Sequence, residues 1–271
     1  MPDGAKATSV SYSWMALYNW CPRAFRYEKV DKVIPDWPQS IAAIHGRALH
    51  RVINAMYISR DFDLAYLRKI WPSIYSDQLQ RDQFFFKDNK KETEWLNKGY
   101  KVLEQFHRLA QREELLVPPL KTEWKFRLDL GDISIVGGVD LIIKNSNRIR
   151  LLDSKMGLIQ LEESELSEYD QLVIYSLATR RLLKVEEDIA GLIYPQHDKI
   201  VYAPRKYIEE DYEKLLGRIH NIINKVDSKK FDPTYKSCYM CRYNRRCKAE
   251  DLATKTGVDF RWLYETPAKR N

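Results

Sequence analysis

The sequence predicts an α/β protein: a sheet-containing core, a helical N-terminal arm and a C-terminal cysteine clasp. Three observations carry that prediction. Apolar residues recur every three to four positions through the first 115 residues, then at every second position after Pro118-Pro119. Beyond that point strand and helix patterns alternate, as they do in α/β folds. The four cysteines stand at the two ends: Cys21 alone, then Cys238, Cys241 and Cys247 as C-x2-C-x5-C.

Trp14, Leu17, Tyr18 and Cys21 share one helical stripe, with Ser11 as cap and Pro22 as terminator. Ser40 caps a second helix to about Ser59, with Gly46, His50, Ile53 and Tyr57 on one face. Leu67, Ile70, Trp71 and Ile74 mark a third helix; Leu96, Tyr100, Leu103 and Phe106 mark a fourth. Trp124, Phe126, Leu128 and Leu130 then alternate with Glu123, Lys125, Arg127 and Asp129, a half-buried strand with Glu123 on its polar face. Gly131-Asp132 makes a tight turn into a strand from Ile133 to Lys144, apolar on both faces and therefore central. Asn145-Ser146-Asn147 turns into a strand from Arg148 to Met156. A helix from Glu165 to Leu183, strands at 189–194 and 199–203, and a helix from Glu209 to Val226 follow. Residues 1–10 and those from Thr266 read as loose ends.

With 271 residues, 44% hydrophobic and 31% charged, the chain can bury one sizeable core. No apolar run reaches the roughly 20 residues a membrane helix needs, and the N-terminus lacks a signal-peptide core. A cytoplasmic protein is expected, in which paired thiols bind metal rather than form disulfides. Forty-five Lys and Arg against 38 Asp and Glu give a net charge of +7, which suits a polyanionic partner.

Between the cysteines lies a constellation of polar residues. Asp153 and Lys155 are two apart on a strand, so they project to one face while Ser154 points away. Asp140, on the neighbouring antiparallel strand, is close enough to share a hard cation with Asp153. Both carboxylates sit among Val139, Leu141, Leu151 and Leu152, where an uncompensated charge is costly. Gln171 and Tyr175, four apart on a helix, face the same way. Singly, each element has a plain structural explanation: D-x-K as a buried ion pair, His50 as a core histidine, Gln171 and Tyr175 as the polar edge of a helix. His45 is assigned no role. The order carries the information: G-x-x-x-H on a helix, G-G-x-D on a strand, D-x-K on the next, then Q-x-x-x-Y.

In that order the chain resembles the RecB-like branch of the PD-(D/E)XK nuclease superfamily, closest in look to the CRISPR-associated RecB-like exonucleases and AddB-type nuclease domains with four cysteines. Ser11 to Tyr27, Gly46 to His50, Gly137-Gly138-Val139-Asp140, Asp153-Ser154-Lys155, Gln171 to Tyr175, and Cys238-x2-Cys241-x5-Cys247 carry the resemblance. Val139 departs from the nominal proline, and Asp153 stands where Glu is frequent. The resemblance implies a restriction-endonuclease-like core, a central mixed sheet flanked by helices. It implies a catalytic set of Asp140, Asp153 and Lys155, with Gln171 and Tyr175 orienting the strand or the lysine. One Mg2+ or Mn2+ is expected on His50, Asp140, Asp153 and the Ser154 carbonyl, a donor set hard cations prefer. Glu123 is given no metal role.

Four thiolates hold either tetrahedral zinc or a 4Fe-4S cluster. One C-x2-C pair, a five-residue gap and a distant fourth cysteine, with the resemblance, favour iron–sulfur on Cys21, Cys238, Cys241 and Cys247. Arg23, Arg26, Arg242, Tyr243, Arg245 and Arg246 then ring the cluster, either to contact single-stranded DNA or as a solvated basic surface. The expected organisation is a helical region over 1–115 carrying Cys21 and the histidine motif, a nuclease core over 116–230, and an iron–sulfur clasp and tail over 231–271. The expected activity is a metal-dependent DNA exonuclease on single strands or ends, 5′ to 3′, in CRISPR adaptation, recombination and repair or phage DNA metabolism. A helicase or CRISPR adaptation proteins are the expected partners, since no nucleotide-binding G-x-x-x-x-G-K-[ST] motif is present. The alternatives are an inactive DNA-binding module and a zinc-clasped interaction protein.

Overall fold

A computed structural model describes residues 7–145, 147–157, 159–235 and 238–259. The chain divides into two compact units that are not consecutive in sequence: Met1–Ser9 with Gln39–Leu215, and Val10–Pro38 with Leu216–Asn271. Val10–Pro38, which carries Cys21, groups with the C-terminal segment rather than with the helices that follow it.

The first unit is built on a mixed sheet of β1 (Thr8–Val10), β2 (Lys121–Leu130), β3 (Ile133–Asn145), β4 (Arg148–Ser154), β5 (Ile189–Tyr194) and β6 (Lys199–Tyr202). Their order is β1-β3-β4-β5-β6, with β2 also on β3. β2–β3, β3–β4 and β5–β6 are antiparallel, while β4–β5 is parallel. A parallel pair needs a crossover, supplied by α6 (Glu163–Leu166) and α7 (Asp170–Ala178). β1 corrects the expectation of loose residues up to position 10: the Thr8 N–H donates to the Asp132 carbonyl at 2.9 Å. Three residues are too few to show a period. The expected positions 1–6, Ser146 and those from Thr266 lie outside the described residues.

Helices α3 (Ile41–Ser59), α4 (Leu64–Arg81) and α5 (Asn89–Arg112) pack over one sheet face. Each starts at a side-chain cap: Ser40, Asp63 and Asp88 accept from backbone N–H groups of the first turn. Ala48, Leu49, Val52 and Met56 of α3 are fully buried against Leu67, Trp71, Leu103 and Phe106, with Leu141, Leu152 and Ile193 of the sheet below. At Gly99 an added Cβ would fall 2.0 Å from Cζ2 of Trp71, so α5 reaches α4 only with glycine there. His45 lies in this core, bonded to the Trp95 carbonyl at 3.0 Å among Trp71, Tyr75 and Trp95. Burial lowers its pKa to about 4.

The expected helix over 165–183 is broken. Glu162 and Glu165 form a capping box for the single turn of α6. The chain then goes extended at Tyr169 before α7 begins. A π-helical turn over Thr179–Leu183 completes the segment.

In the second unit α1 (Tyr12–Trp20) is capped by Ser11, whose hydroxyl accepts from the Trp14 N–H at 3.2 Å. Pro22 opens a further short helix, α2 (Pro22–Phe25), instead of simply ending the first, since proline suits a first helical position. α8 (Glu209–Asp227) runs from the first unit into the second, and α9 (Asn244–Thr256) follows the cysteine pair. α9 was not expected, because its polar sequence shows little periodicity. No helix among the described residues is long and apolar enough to cross a membrane.

Candidate active site and cysteine centre

The ends of β3 and β4 carry the acidic residues. Leu141 pairs with Leu152, so the antiparallel register sets Asp140 opposite Asp153. The Ser154 N–H donates to Asp140 Oδ2 at 2.8 Å. From α3, His50 Nδ1 comes to 3.4 Å from that same oxygen. Glu123 of β2 completes the group: ligand atoms of His50, Glu123 and Asp140 all lie within 4.8 Å of one another. Strand alternation had placed Glu123 on the polar face. It is exposed there, as the alternation of β2 requires, and its left-handed φ of +45° is what an apolar–polar pattern does not show.

Asp153 is turned toward α7. Its Oδ1 accepts from Gln171 Nε2 at 2.9 Å and from the Tyr175 hydroxyl at 3.2 Å. Lys155 Nζ lies 2.8 Å from its Oδ2 as an ion pair, without hydrogen-bond geometry, so that buried oxygen receives no hydrogen bond. Lys155 instead donates to Gln171 Oε1 at 2.6 Å. Gln171 therefore clamps acid and lysine together, its amide fixed by a 2.7 Å bond to Tyr175. The sequence pattern gave no place to Tyr169. Where the chain extends before α7, its hydroxyl donates to Gln171 Oε1 at 3.3 Å, and its ring lies 5.9 Å from Lys155 Nζ.

The electrostatics call for a cation. Burial, then the neighbouring Asp140, push the Asp153 pKa up to about 6. Partial burial and Asp140 also raise Glu123. For His50, burial lowers the pKa, but bonding to Asp140 outweighs it and the net shift is upward. Three carboxylates face one lysine, leaving two negative charges uncompensated while His50 is neutral. A divalent cation fits this donor set, hard oxygens with one imidazole, and Asp153 Oδ2, ion-paired with Lys155 but accepting no hydrogen bond, is a further candidate oxygen.

In the second unit Cys21, Cys238, Cys241 and Cys247 line one cavity, and none is in a disulfide. Hydrogen bonds reach their sulfurs from Arg23 Nη1, to Cys247 at 3.5 Å, and from the Tyr243 N–H, to Cys241 at 3.4 Å. Burial raises the Cys241 and Cys247 thiols, and neighbouring thiols push in the same direction. Four converging thiols with N–H donors on sulfur fit a bound metal centre. The expected ring of cations is mostly engaged. Arg23 pairs with Asp251 at 2.5 Å and Arg26 with Glu250 at 2.8 Å. Arg245 stacks on Trp37 at 4.3 Å, and Arg242 donates to the Trp37 carbonyl. Tyr243 is buried against Tyr27 and offers no face for a base.

The model of the PD-(D/E)XK nuclease superfamily matches residues 9–248. The chain belongs to that superfamily. Its members are generally metal-dependent nucleases, and DNA is the substrate that this fold implies. No curated protein matches the sequence significantly. Among solved structures, the crystal structure of SSO0001 aligns over 89% of this chain and 85% of its own, at 13% identity and a TM-score of 0.36.

Proposed function

We propose that the protein is a divalent-metal-dependent DNA exonuclease of the RecB-like type, acting on single strands or ends and held together by a 4Fe-4S cluster. The observation that carries the reading is the convergence of His50, Glu123 and Asp140 beside an Asp153–Lys155 pair clamped by Gln171. His50, Glu123 and Asp140, with Asp153, would hold Mg2+ or Mn2+, and the Ser154 carbonyl is a further candidate ligand. Such an ion supplies Lewis acidity toward the scissile phosphate and lowers the pKa of water. Lys155, aimed by Gln171 and Tyr169, presents its ammonium to the charge that grows on the phosphate. Tyr175 and Gln171 keep Asp153 in place. The resemblance to RecB-like exonucleases supports 5′ to 3′ polarity and a place in CRISPR adaptation, recombination or phage DNA processing beside a partner that unwinds.

The sequence spacing of the thiols, one C-x2-C pair, a five-residue gap and a distant fourth cysteine, together with the resemblance, supports iron–sulfur over zinc. The cluster's role is structural, tying Cys21 to the C-terminal segment.

The test is degradation of single-stranded DNA labelled at the 5′ or 3′ end, with Mn2+, Mg2+ or EDTA, beside the Lys155→Ala variant. The expected outcome is metal-dependent loss of label order that K155A abolishes. Intact DNA with folded, brown, metal-supplied wild-type protein would overturn the stand-alone nuclease reading.

A further inference from the structure

Next to Glu123 on β2, about 3.4 Å further along the strand, stands Trp124, half-exposed. One part of the indole is packed: its ring centroid lies 5.4 Å from that of Phe126, tilted by 34°. Phe126 is itself fixed. It lies over Gly137, where a Cβ would come within 2.7 Å of its Cζ, and stands edge-on to Tyr175 at 6.3 Å. Tyr175 donates to Asp153. The indole is thus braced, through two rings, against the residue that pairs with Lys155. That contact also gives the first glycine of G-G-x-D a physical reason.

The same strand carries Lys121 and Lys125, both exposed and in no ion pair among the described residues. β2 pairs with β3 alone, so no neighbouring strand covers its outer edge among those residues. Within five residues the edge therefore carries Lys121, Glu123 and Lys125 on one face and the Trp124 ring on the other, so that a strand laid along the edge meets both. Alternating aromatic and cationic groups are what single-stranded nucleic acid binds: rings take base faces, lysines take phosphates.

We infer that Trp124, with Lys121 and Lys125 on the other face of the same strand edge, is a nucleobase-stacking subsite that seats one unpaired base beside the phosphate to be cleaved, and so selects single-stranded nucleic acid. In a duplex both faces of each internal base are covered by its neighbours, which leaves the indole nothing to stack on. The inference rests on the nuclease reading above and names the strandedness of its substrate.

Binding of a labelled 20-nucleotide single strand and of its blunt duplex, by anisotropy in EDTA so that nothing is cut, tests it. Trp124→Leu, which keeps apolar bulk but has no ring, is expected to weaken single-strand affinity about 5- to 150-fold. Duplex affinity stays unchanged, and Trp124→Phe loses less. Lys121→Ala and Lys125→Ala are each expected to reduce the slope of log affinity against log salt by about 0.7. Circular dichroism and absorbance near 400 nm confirm that the variants are folded. Wild-type single-strand affinity in folded W124L, or an equal loss on the duplex, would overturn the subsite while leaving the nuclease reading intact. Failure of the wild type itself to bind the single strand would overturn both.

Discussion

The two candidate metal centres of this chain are built in opposite ways. The carboxylate site stands on a hydrogen-bonded sheet backed by three helices, its ligands fixed by strand register before any ion arrives. The cysteine centre draws its ligands from both ends of the chain. The described apolar cluster around it has only four buried members, Ala24, Tyr27, Cys241 and Tyr243. A site on a sheet can lose its ion and keep its shape. A site whose surroundings have so little core needs its metal to fold, because binding free energy is then folding free energy.

The sharpest way to break that contrast is to remove one group from each side. Cys241→Ser is expected to abolish absorbance near 400 nm and to open the 216–259 segment to protease, a loss on the order of 10 kcal/mol for a structural metal centre. EDTA on the wild type is expected to leave absorbance and protease resistance unchanged. Equal protection of the 216–259 segment in C241S and wild type would show that the cysteine centre does not hold it.

A smaller effect probes the sheet unit alone. His45 has a folded pKa of about 4, below its ordinary 6.5. Between those values the unfolded chain binds more protons, so stability is full above pH 6.5 and falls as pH drops toward 4. The expected loss is on the order of 3 kcal/mol across that window. His45→Gln should flatten the pH dependence of urea unfolding there; an unchanged slope would place the imidazole in a wetter setting than the Trp71, Tyr75 and Trp95 rings provide.

The same contrast explains what the sequence made legible. Long periodic elements were readable: α3 from its Ser40 cap, the β2–β3 hairpin from its alternation, and Gln171 with Tyr175 from their four-residue spacing. Order along the chain located His50, Asp140, Asp153 and Lys155, and the thiols' positions announced that the two ends meet. What escaped depends on single backbone angles or on partners far away. Glu123 stands on the exposed face that the alternation assigns it, and only the approach of His50 and Asp140 from other elements makes its carboxylate a candidate ligand. The extended Tyr169 splits one expected helix and puts a phenol on Gln171. α9 is held by Cys247 and by the pairing of Glu250 and Asp251 with Arg26 and Arg23, none of it visible in a helical stripe.

On the proposed reading, His50, Glu123 and Asp140 hold one divalent cation on a preformed sheet. The most direct measurement is a Mn2+ titration followed by the electron paramagnetic resonance of the free ion, on wild type, Glu123→Gln and Asp140→Asn, with absorbance near 400 nm monitored in parallel. The account predicts Mn2+ bound by the wild type, affinity weakened about tenfold or more in both variants, and unchanged absorbance. Glu123→Gln and Asp140→Asn proteins that titrate like wild type would contradict it.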